Sequence, residues 1–385
     1  MAIEWKKVRL GEICDYVTSG GTPLASRNDY YNPPVIPWLK TKEVNYSRIT
    51  KTENFISQKG LDNSSAKLIP ENSVIIAMYG QGDTAGRVAI NKIPLTTNQA
   101  CCNFIIDKEK ADYNFIYYQL CTLYDKMVSL KSGGAQPNLN AGKLKELEIA
   151  LPPLETQQKI AGILSAYDDL IENNRKQIKL LEEAAQKLYK EWFVKLDFPE
   201  HEIVKIVDGL PEGWKKGVLS EIGEFKRGKT ITKDQTIKGF VPVVAGGLEP
   251  AYYHNEANTE SPVITVSGSG ANAGFTRMYC EKIWASDCSF LDVSKCQHLY
   301  FVYCVLKESK AKIDNLQKGA AQPHVYAKDL NALNILIPHK NIMDKYEEII
   351  KPYFDKMNTL AKQVLQLQSA RDKLLPKLMN QEIEV

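Results

Sequence analysis

The sequence predicts an α+β fold in which two similar mixed α/β domains are separated by a long antiparallel two-helix coiled coil. Two observations predict it: the chain repeats itself, which gives a pseudo-twofold internal repeat, and each copy ends in a long segment with coiled-coil periodicity. A chain of 385 residues is also too long for one ordinary hydrophobic core. The predicted boundaries are a first domain over 1–152, a central helix over 153–198, a second domain over 199–338 and a C-terminal helix over 339–385.

The internal repeat is visible in three pairs of segments. The offset between the copies falls from 209 residues at the start to 188 and then to 186, so the first copy holds about twenty extra residues between positions 13 and 74. These residues are a natural place for the copies to differ in what they recognise. The paired segments are WKKVRLGEI (5–13) with WKKGVLSEI (214–222), VIIAMYGQGDTAG (74–86) with PVITVSGSGANAG (262–274), and GGAQPNLNAGKL (133–144) with GAAQPHVYAKDL (319–330).

The segment after each copy has apolar residues in alternating steps of four and three, the pattern of a coiled-coil seam. Because the second domain lies between the two segments, paired helices must run antiparallel. Asn174 at a core position is expected to fix the register, and Pro352 is expected to kink the second helix or to mark a late start. The alternative, in which each helix packs only on its own domain, stays open. The predicted core of the pair is Leu164, Tyr167, Ile171, Asn174, Ile178, Leu181 and Leu188 with Ile350, Tyr353, Met357, Leu360, Val364, Leu367 and Leu374.

Short apolar runs predict the strands of the two domains. Residues 113–130 and 299–316 have apolar residues at helical spacing and predict helices. The predicted strands are VIPWL, SVIIAM, CNFIID, PVITV and LNILI.

Composition and net charge limit where the protein is expected to act and how it could bind phosphates. No apolar run approaches the roughly 20 residues that span a bilayer, and the N-terminal residues lack the apolar core of a signal peptide, so we expect a cytoplasmic protein. Net charge is only +3, so contact with phosphates would need local basic patches or help from a partner.

The cysteines are expected to be buried, reduced thiols and not a metal site. Four of them recur every eight residues, but no close Cys-Cys or Cys-His spacing accompanies them. They are Cys280, Cys288, Cys296 and Cys304.

Several chemical motifs lack the context that their chemistry requires. The segment GEFKRGKT (223–230) matches a phosphate loop, but it follows a half-polar segment, and the first copy has VTSGGTP (17–23) at the equivalent place. NPPV (32–35) is interpreted as a proline turn. Asp292, Glu308 and Lys310 together imitate the carboxylate cluster of a magnesium-dependent nuclease. Glu308 and Lys310 fall near the polar end of a predicted helix, so we interpret them as part of a solvated helix face.

No catalytic constellation emerges from these motifs, and the five histidines form no pair that suggests catalysis. The residues leave two functional hypotheses open at this point. One is an NTP-binding enzyme that uses Lys229, and the other is a protein–protein scaffold that binds no DNA.

Particular strings give a family resemblance that covers essentially the whole chain. W-K-x-x-x-L begins each domain, and S-G-G-x-Q-P-N-L (132–139) and L-P-P-L-E-x-Q-x-x-I (151–160) lead into the first helix. The chain resembles the DNA specificity subunit of type I restriction-modification systems. The second copy departs from the pattern, with His324-Val325 in place of Asn-Leu and IPHKNIMDKY (337–346) before its helix.

The resemblance implies a non-catalytic subunit of a restriction endonuclease and adenine-N6 DNA methyltransferase. Each target-recognition domain would read one half of a bipartite, asymmetric sequence in double-stranded DNA, and the helix pair would set the spacer. The implied partners are two methyltransferase subunits and two restriction subunits. S-adenosylmethionine, ATP and Mg²⁺ would be bound by those partners, and this chain would bind no cofactor or metal.

Base reading requires amides, hydroxyls and arginines at groove edges, whereas lysines settle on phosphates. An ordinary polar turn residue is the alternative for each position. The candidate DNA-binding residues are Thr18, Thr22, Lys40, Lys42, Tyr79, Gln81, Arg87, Ser132, Gln136 and Asn138 in the first copy and Lys226, Arg227, Lys229, Ser267, Ser269, Asn272, Arg277, Gln322 and His324 in the second.

Overall fold

The computed structural model describes residues 5–80, 82–131, 138–317 and 323–385. The chain forms two compact units, of which the first combines Met1–Ile171 with Gln366–Val385 and the second is Glu172–Leu365. Each unit holds one globular copy and part of both long helices. The units therefore divide the chain differently from the predicted boundaries, which gave each helix a segment of its own.

The globular part of the first unit alternates short strands and helices. Its elements are β1 (Lys6–Arg9), β2 (Cys14–Ser19), β3 (Ile36–Leu39), β4 (Ser47–Ile49), β5 (Asn54–Ile56), α1 (Gln58–Asp62), β6 (Val74–Ala77), β7 (Val88–Asn91), β8 (Thr96–Thr97), β9 (Cys101–Ile106), α2 (Tyr113–Thr122), α3 (Tyr124–Ser129), α4 (Ala141–Lys145) and β10 (Glu148–Leu151).

A central helix leads from there into the second globular part and on to a C-terminal helix. The elements are α5 (Leu154–Tyr189), β11 (Ile206–Val207), β12 (Leu210–Pro211), β13 (Lys215–Val218), β14 (Lys226–Arg227), β15 (Val241–Val244), β16 (Tyr252–His254), β17 (Val263–Ser267), β18 (Thr276–Tyr279), β19 (Trp284–Ala285), β20 (Cys288–Asp292), α6 (Leu299–Glu308), α7 (Lys310–Asn315), α8 (Ala327–Asn331), β21 (Asn334–Ile337) and α9 (Lys340–Met379).

The first unit is built on a five-stranded sheet in the order β2-β9-β6-β7-β4, accompanied by a three-stranded sheet β5-β3-β8 and the pair β1-β10. All four residues of β6 are buried, which explains its continuous apolar sequence. Helix α2 packs against this sheet through Phe115 and Ile116, which share a core with Val74 and Phe104. The helix begins at Tyr113 because the Asp112 side chain accepts a hydrogen bond from Phe115 N at 2.9 Å.

The second unit repeats this architecture. Its sheets are β14-β20-β17-β18, β16-β15-β19 and β13-β21. In both units a proline-bearing strand pairs antiparallel with one neighbour and parallel with another, β3 with β5 and β8, and β15 with β16 and β19. The internal repeat predicted from the sequence is therefore confirmed. Strand β4 and helix α1 lie in the segment that carries the extra residues of the first copy.

The two long helices contact each other antiparallel within each unit. In the second unit Asn174 Nδ2 donates to Gln363 Oε1 at 3.3 Å, and Tyr346 Oη donates to the Ala185 carbonyl at 3.2 Å. Residue numbers thus rise along α5 as they fall along α9. The hypothesis that each helix packs only on its own domain is wrong.

In the first unit, an ion pair with a buried carboxylate joins α5 to α9. The Arg371 guanidinium donates to Asp168 Oδ1, and Tyr118 Oη donates to the other carboxylate oxygen at 2.6 Å. Asp168 is only 6% exposed, so water hardly reaches its carboxylate. The Arg371 guanidinium and the Tyr118 hydroxyl stabilise the charge in place of water.

Helix α9 starts at Lys340 and continues through Pro352, so the predicted late start at that proline is wrong. Helix α5 ends in a π-helical turn, Lys190–Val194. Every residue of the predicted helix-pair core is buried or half-buried.

The predicted strands are all observed, as β3, β6, β9, β17 and β21. The two predicted helices are each broken in two: α2 and α3 are divided at Leu123, and α6 and α7 at Ser309. The other strands, among them the short β14 and β19, were not predicted.

The four cysteines that recur every eight residues are packed in the protein, as expected from the sequence. Cys288, Cys296 and Cys304 are buried and Cys280 is half-buried. Burial raises the pKa of the first three thiols to about 12 and that of Cys280 to about 11, so all four stay protonated at neutral pH. Over the described ranges, no helix is long and apolar enough to cross a membrane.

Candidate nucleic-acid interface

The parallel strand pairs show which residues of the two units are equivalent. At the end of the β3–β8 pair, Asn98 N donates to the Leu39 carbonyl at 3.0 Å. At the end of the β15–β19 pair, Ser286 N donates to the Val244 carbonyl at 2.8 Å. Asn98 and Ser286 therefore occupy the same place in the fold.

A glycine packs against the same turn in each unit. A Cβ on Gly20 would lie 2.2 Å from the Thr97 carbonyl oxygen, and one on Gly228 would lie 2.3 Å from the Ser286 carbonyl oxygen. No side chain fits in either place, so glycine is required by close backbone contact. Gly228 is the second glycine of the phosphate-loop pattern, and backbone packing explains its presence without a nucleotide.

The rest of that pattern also lacks the structure of a phosphate loop. Lys226 and Arg227 form β14, which pairs antiparallel with β20. The next helical segment is a single 3-10 turn at Lys233–Gln235, whereas phosphate loops open an α-helix directly. The structure does not support the NTP-binding alternative.

Predicted residues of the second unit converge around Asp287, which follows Ser286. Ser269 Oγ donates to Asp287 Oδ2 at 2.5 Å. Arg227, Asp287, His324 and Tyr326 line one small cleft. The rings of His324 and Tyr326 stack with centroids 5.9 Å apart and an interplanar angle of 13°. The cleft thus combines a carboxylate, a guanidinium and an aromatic surface.

Three exposed cations lie beside this cleft without a carboxylate partner in the described part of the chain. They are Lys226, Arg227 and Lys229. Lys229 Nζ lies 5.9 Å from the centroid of the Trp284 ring, and Trp284 Nε1 donates to the Lys229 carbonyl at 2.8 Å. Cations without an internal partner are available to phosphates and guanine edges.

Other predicted cations are neutralised within their own unit. Their partners lower the electrostatic attraction that they offer to a polyanion. The ion pairs are Arg277 with Glu249 at 3.2 Å, Arg87 with Asp83 at 2.5 Å, and Lys42 with Glu53. The hydrogen bond from Arg87 also holds the pKa of Asp83 below its usual value.

The first unit gathers its predicted residues around Gln99, which follows Asn98. Thr22 Oγ1 donates to Gln99 Oε1, and Tyr79 Oη donates to the Gln99 carbonyl at 3.0 Å. Burial raises the pKa of Tyr79, so its hydroxyl stays a donor. Lys40 follows Leu39, whose carbonyl accepts the hydrogen bond from Asn98 N, and its Nζ lies 4.8 Å from the centroid of the Trp38 ring.

Two predicted residues do not fit a DNA-contacting role because they are buried. Thr18 is 8% exposed and its hydroxyl donates to the Ser19 carbonyl at 3.2 Å. Ser267 is 3% exposed and its hydroxyl donates to the Gly246 carbonyl at 3.0 Å. Both are strand residues whose side chains face the protein interior.

Asn138 is half-buried, and Asn272 ends the short 3-10 turn Gly270–Asn272. Neither has a contact that decides its role, so both stay predictions. Four further candidates lie outside the described residues: Gln81, Ser132, Gln136 and Gln322.

Sequence reasoning missed Gln99, Asp287 and Tyr326. Gln99 lies in a short turn before β9, and Asp287 lies in a short turn before β20. The sequence of each turn resembles that of any polar turn. An alignment of the two copies could have paired Gln99 with Asp287. The offset between the copies changes by one residue between Gln99 and β9, and this change hid the equivalence.

The nuclease-like residues are separate structural groups. Asp292 is buried and accepts hydrogen bonds from Glu260 N at 2.9 Å and Ser294 Oγ at 2.6 Å. Glu308 pairs with Lys190 at 3.1 Å, and Lys310 pairs with Asp314. Among the residues that the structure describes, no group of three His, Cys, Asp or Glu side chains could hold a metal ion.

Comparison with known proteins decides the family. The family model for the type I restriction modification DNA specificity domain matches residues 2–183 and 211–368, one match for each copy. The chain belongs to this family. The matches confirm the resemblance seen in the sequence, and the second one includes the cleft around Asp287.

Relatives in the family match over nearly the whole chain. The MjaIX type I restriction enzyme specificity subunit of Methanocaldococcus jannaschii is 29% identical, over 99% of this chain and 94% of its own length. The HindI specificity subunit of Haemophilus influenzae is 22% identical, over 99% of this chain and all of its own.

A solved structure agrees on the fold. The crystal structure of the type I restriction-modification system S subunit from M. genitalium superposes with a TM-score of 0.66. Sequence identity is 21%, and the match covers 98% of this chain and 96% of the other.

Proposed function

We propose that this chain is the non-catalytic DNA specificity subunit of a type I restriction-modification complex. Each globular copy reads one half of a bipartite, asymmetric sequence. The observation that supports this most is the duplication: two copies of one family domain hold polar side chains at equivalent turns, around Gln99 and Asp287. A reader that is duplicated and then diverges naturally gives two different half-sites.

The helix pair sets the spacer in this proposal. Helix α5 has 36 residues, which corresponds to a rod of about 54 Å at the standard rise per residue. Half-sites on one face of B-DNA are roughly 34–36 Å apart for each helical turn. A rod of this length corresponds to about one and a half turns of B-DNA.

The catalytic chemistry belongs to partner subunits in this proposal. Two methyltransferase subunits carry S-adenosylmethionine and methylate adenine at N6, and two restriction subunits use ATP and Mg²⁺. The absence of a suitable NTP loop in the 223–230 segment agrees with this division of labour. The proposed place of action is the cytoplasm, where the target DNA is found.

The test is a genome-wide map of N6-methyladenine in host cells with and without this chain. We expect methylated adenines in a motif of two short specific blocks separated by a fixed unread gap, lost when the chain is deleted. Methylation that persists after deletion, or that follows one continuous motif, would contradict the proposal. Purified chain with its methyltransferase on synthetic duplexes provides the matching measurement in solution.

A further inference from the structure

Gln99 and Asp287 are held in the same way but offer different chemistry. In each case a hydroxyl from a neighbouring loop, Thr22 or Ser269, donates to one side-chain oxygen. The other polar atom, Gln99 Nε2 or Asp287 Oδ1, has no hydrogen-bond partner in the described ranges. A polar group that is held in one orientation and left unmatched is suited to reading a base edge, because its orientation is fixed before DNA binds.

The second unit presents the complement of a C·G base pair. A carboxylate only accepts hydrogen bonds, and cytosine N4 is a donor in the major groove, where guanine offers the acceptors O6 and N7. Arg227 lines the same cleft as Asp287 and is exposed, with five N–H donors for those acceptors. The carboxylate also repels the O4 of thymine and the O6 of guanine, which adds discrimination against wrong bases.

The negative charge of Asp287 costs affinity for a polyanion, and nearby cations offset it. Lys226 and Lys229 flank Arg227 and have no carboxylate partner among the residues that the structure describes. A carboxylate at the centre of a basic surface is expected where base discrimination matters more than general affinity.

The first unit presents different chemistry at the same place. The Gln99 amide offers the Nε2 donor to adenine N7 and the second lone pair of Oε1, beside the hydrogen bond from Thr22, to adenine N6. Ser19 precedes Gly20 where Arg227 precedes Gly228, so this position offers a hydroxyl in the first unit and a guanidinium in the second. The equivalent turns therefore differ in the base pair that they complement.

We propose that Asp287 and Arg227 read a C·G base pair in the half-site of the second unit, and that Gln99 reads an A·T pair at the corresponding place in the half-site of the first. Ser269 and Thr22 are positioning residues that fix these side chains. The inference rests on the proposed function and names the bases that two of its positions recognise.

The test gives the turn of the second unit the side chains that the first unit has at the same place. The double variant Asp287→Gln/Arg227→Ser gives the second unit the residues of the first, and methylated adenines are mapped in cells that carry it in place of the wild type. We expect one position of one half-site to change from C·G to A·T, with discrimination altered on the order of 10- to 100-fold. The other half-site and the spacer should stay unchanged.

Two further variants separate base reading from general electrostatics. Asp287→Asn keeps the shape and removes the charge, and should weaken the preference for C·G at that position alone. Asp234→Asn removes an exposed charge from the 3-10 turn of the same unit, and should leave the motif unchanged. A motif that changes equally in both variants would overturn the inference.

The outcomes also distinguish this inference from the proposed function. A wild-type map without any split motif would overturn both, whereas a split motif that Asp287→Gln/Arg227→Ser leaves unchanged would overturn the inference alone. Should the double variant no longer methylate, its complex is tested for binding to duplexes carrying each base pair in turn along the half-site. An unchanged order of preference would then count against base reading by Asp287 and Arg227.

Discussion

At the residue scale, Lys229 shows how one side chain fits two hypotheses. It occupies the lysine position of a phosphate-loop pattern, yet it is exposed at the end of a strand, beside two cations that have no carboxylate partner among the described residues. A 3-10 turn and not an α-helix follows it, which argues against a nucleotide phosphate, and we propose that its ammonium group contacts a phosphate of DNA.

Lys229→Ala is expected to weaken DNA binding of the complex about equally for all sequences. The slope of log affinity against log salt should decrease by about 1, because one phosphate contact is lost. Titrations of labelled duplex at several salt concentrations measure both quantities. Lys282→Ala, which removes an exposed lysine paired with Glu260, is the matched control. A changed base preference with an unchanged salt slope would contradict the assignment.

Glu347 makes the stability of the second unit depend on pH. Its carboxylate accepts a hydrogen bond from Phe301 N at 2.8 Å, and burial, with a smaller effect of the Asp344 charge, raises its pKa to about 7. The unfolded chain releases this proton near its ordinary pKa of 4.5, so the folded state binds more protons between these values. Stability contributed by this group is therefore lost as pH rises through that window.

Glu347→Gln keeps the acceptor for Phe301 N and removes the charge. We expect a free energy of unfolding higher than that of the wild type at pH 8, by on the order of 1–2 kcal/mol, and a flatter dependence between about pH 4.5 and 7. Denaturant unfolding at several pH values measures this. The exposed Glu348→Gln is the control. Equal curves for Glu347→Gln and the wild type would show that the buried Glu347 carboxyl does not cause the pH dependence.

At the element scale, the helix pair has a polar contact in its seam. Asn174 is 7% exposed and reaches Gln363 in the partner helix. A buried amide in such a seam typically specifies register at a cost in stability.

Asn174→Leu is expected to stabilise the helix pair by about 1 kcal/mol and to weaken the choice of register, because an apolar side chain packs without a geometric requirement. Denaturant unfolding measures the first effect. Methylation maps measure the second, as spacers of more than one length. Asn173→Leu changes the adjacent exposed residue and should do neither. A destabilised Asn174→Leu variant would show that the amide contributes net stability.

Elements with strong periodicity were predictable, and the candidate site was only partly so. The heptads of α5 and α9 and the apolar runs of β6, β9 and β17 repeat enough to be recognised in the chain. Strand β14 is two residues long and basic, so nothing local distinguishes it from a loop; pairing with β20 creates it. The same tertiary contacts turn Thr18 inward and assemble the cleft around Asp287 from four separate segments.

At the scale of the whole molecule, the helices are proposed to act as a ruler. Inserting four residues after Lys179 adds about one helical turn to α5. We expect the unread gap of the methylated motif to change while the bases of both half-sites stay the same, as measured by mapping methylated adenines. Changed half-site bases with an unchanged gap would contradict the ruler.

Independent reading of two half-sites by the two copies can be tested by exchanging one reader. Residues 14–112 are replaced with the corresponding segment of a relative, and methylated adenines are mapped in the host. We expect one half-site to take new bases, while the other half-site and the gap are retained. A map in which both half-sites change together, or in which neither changes although methylation persists, would contradict independent reading.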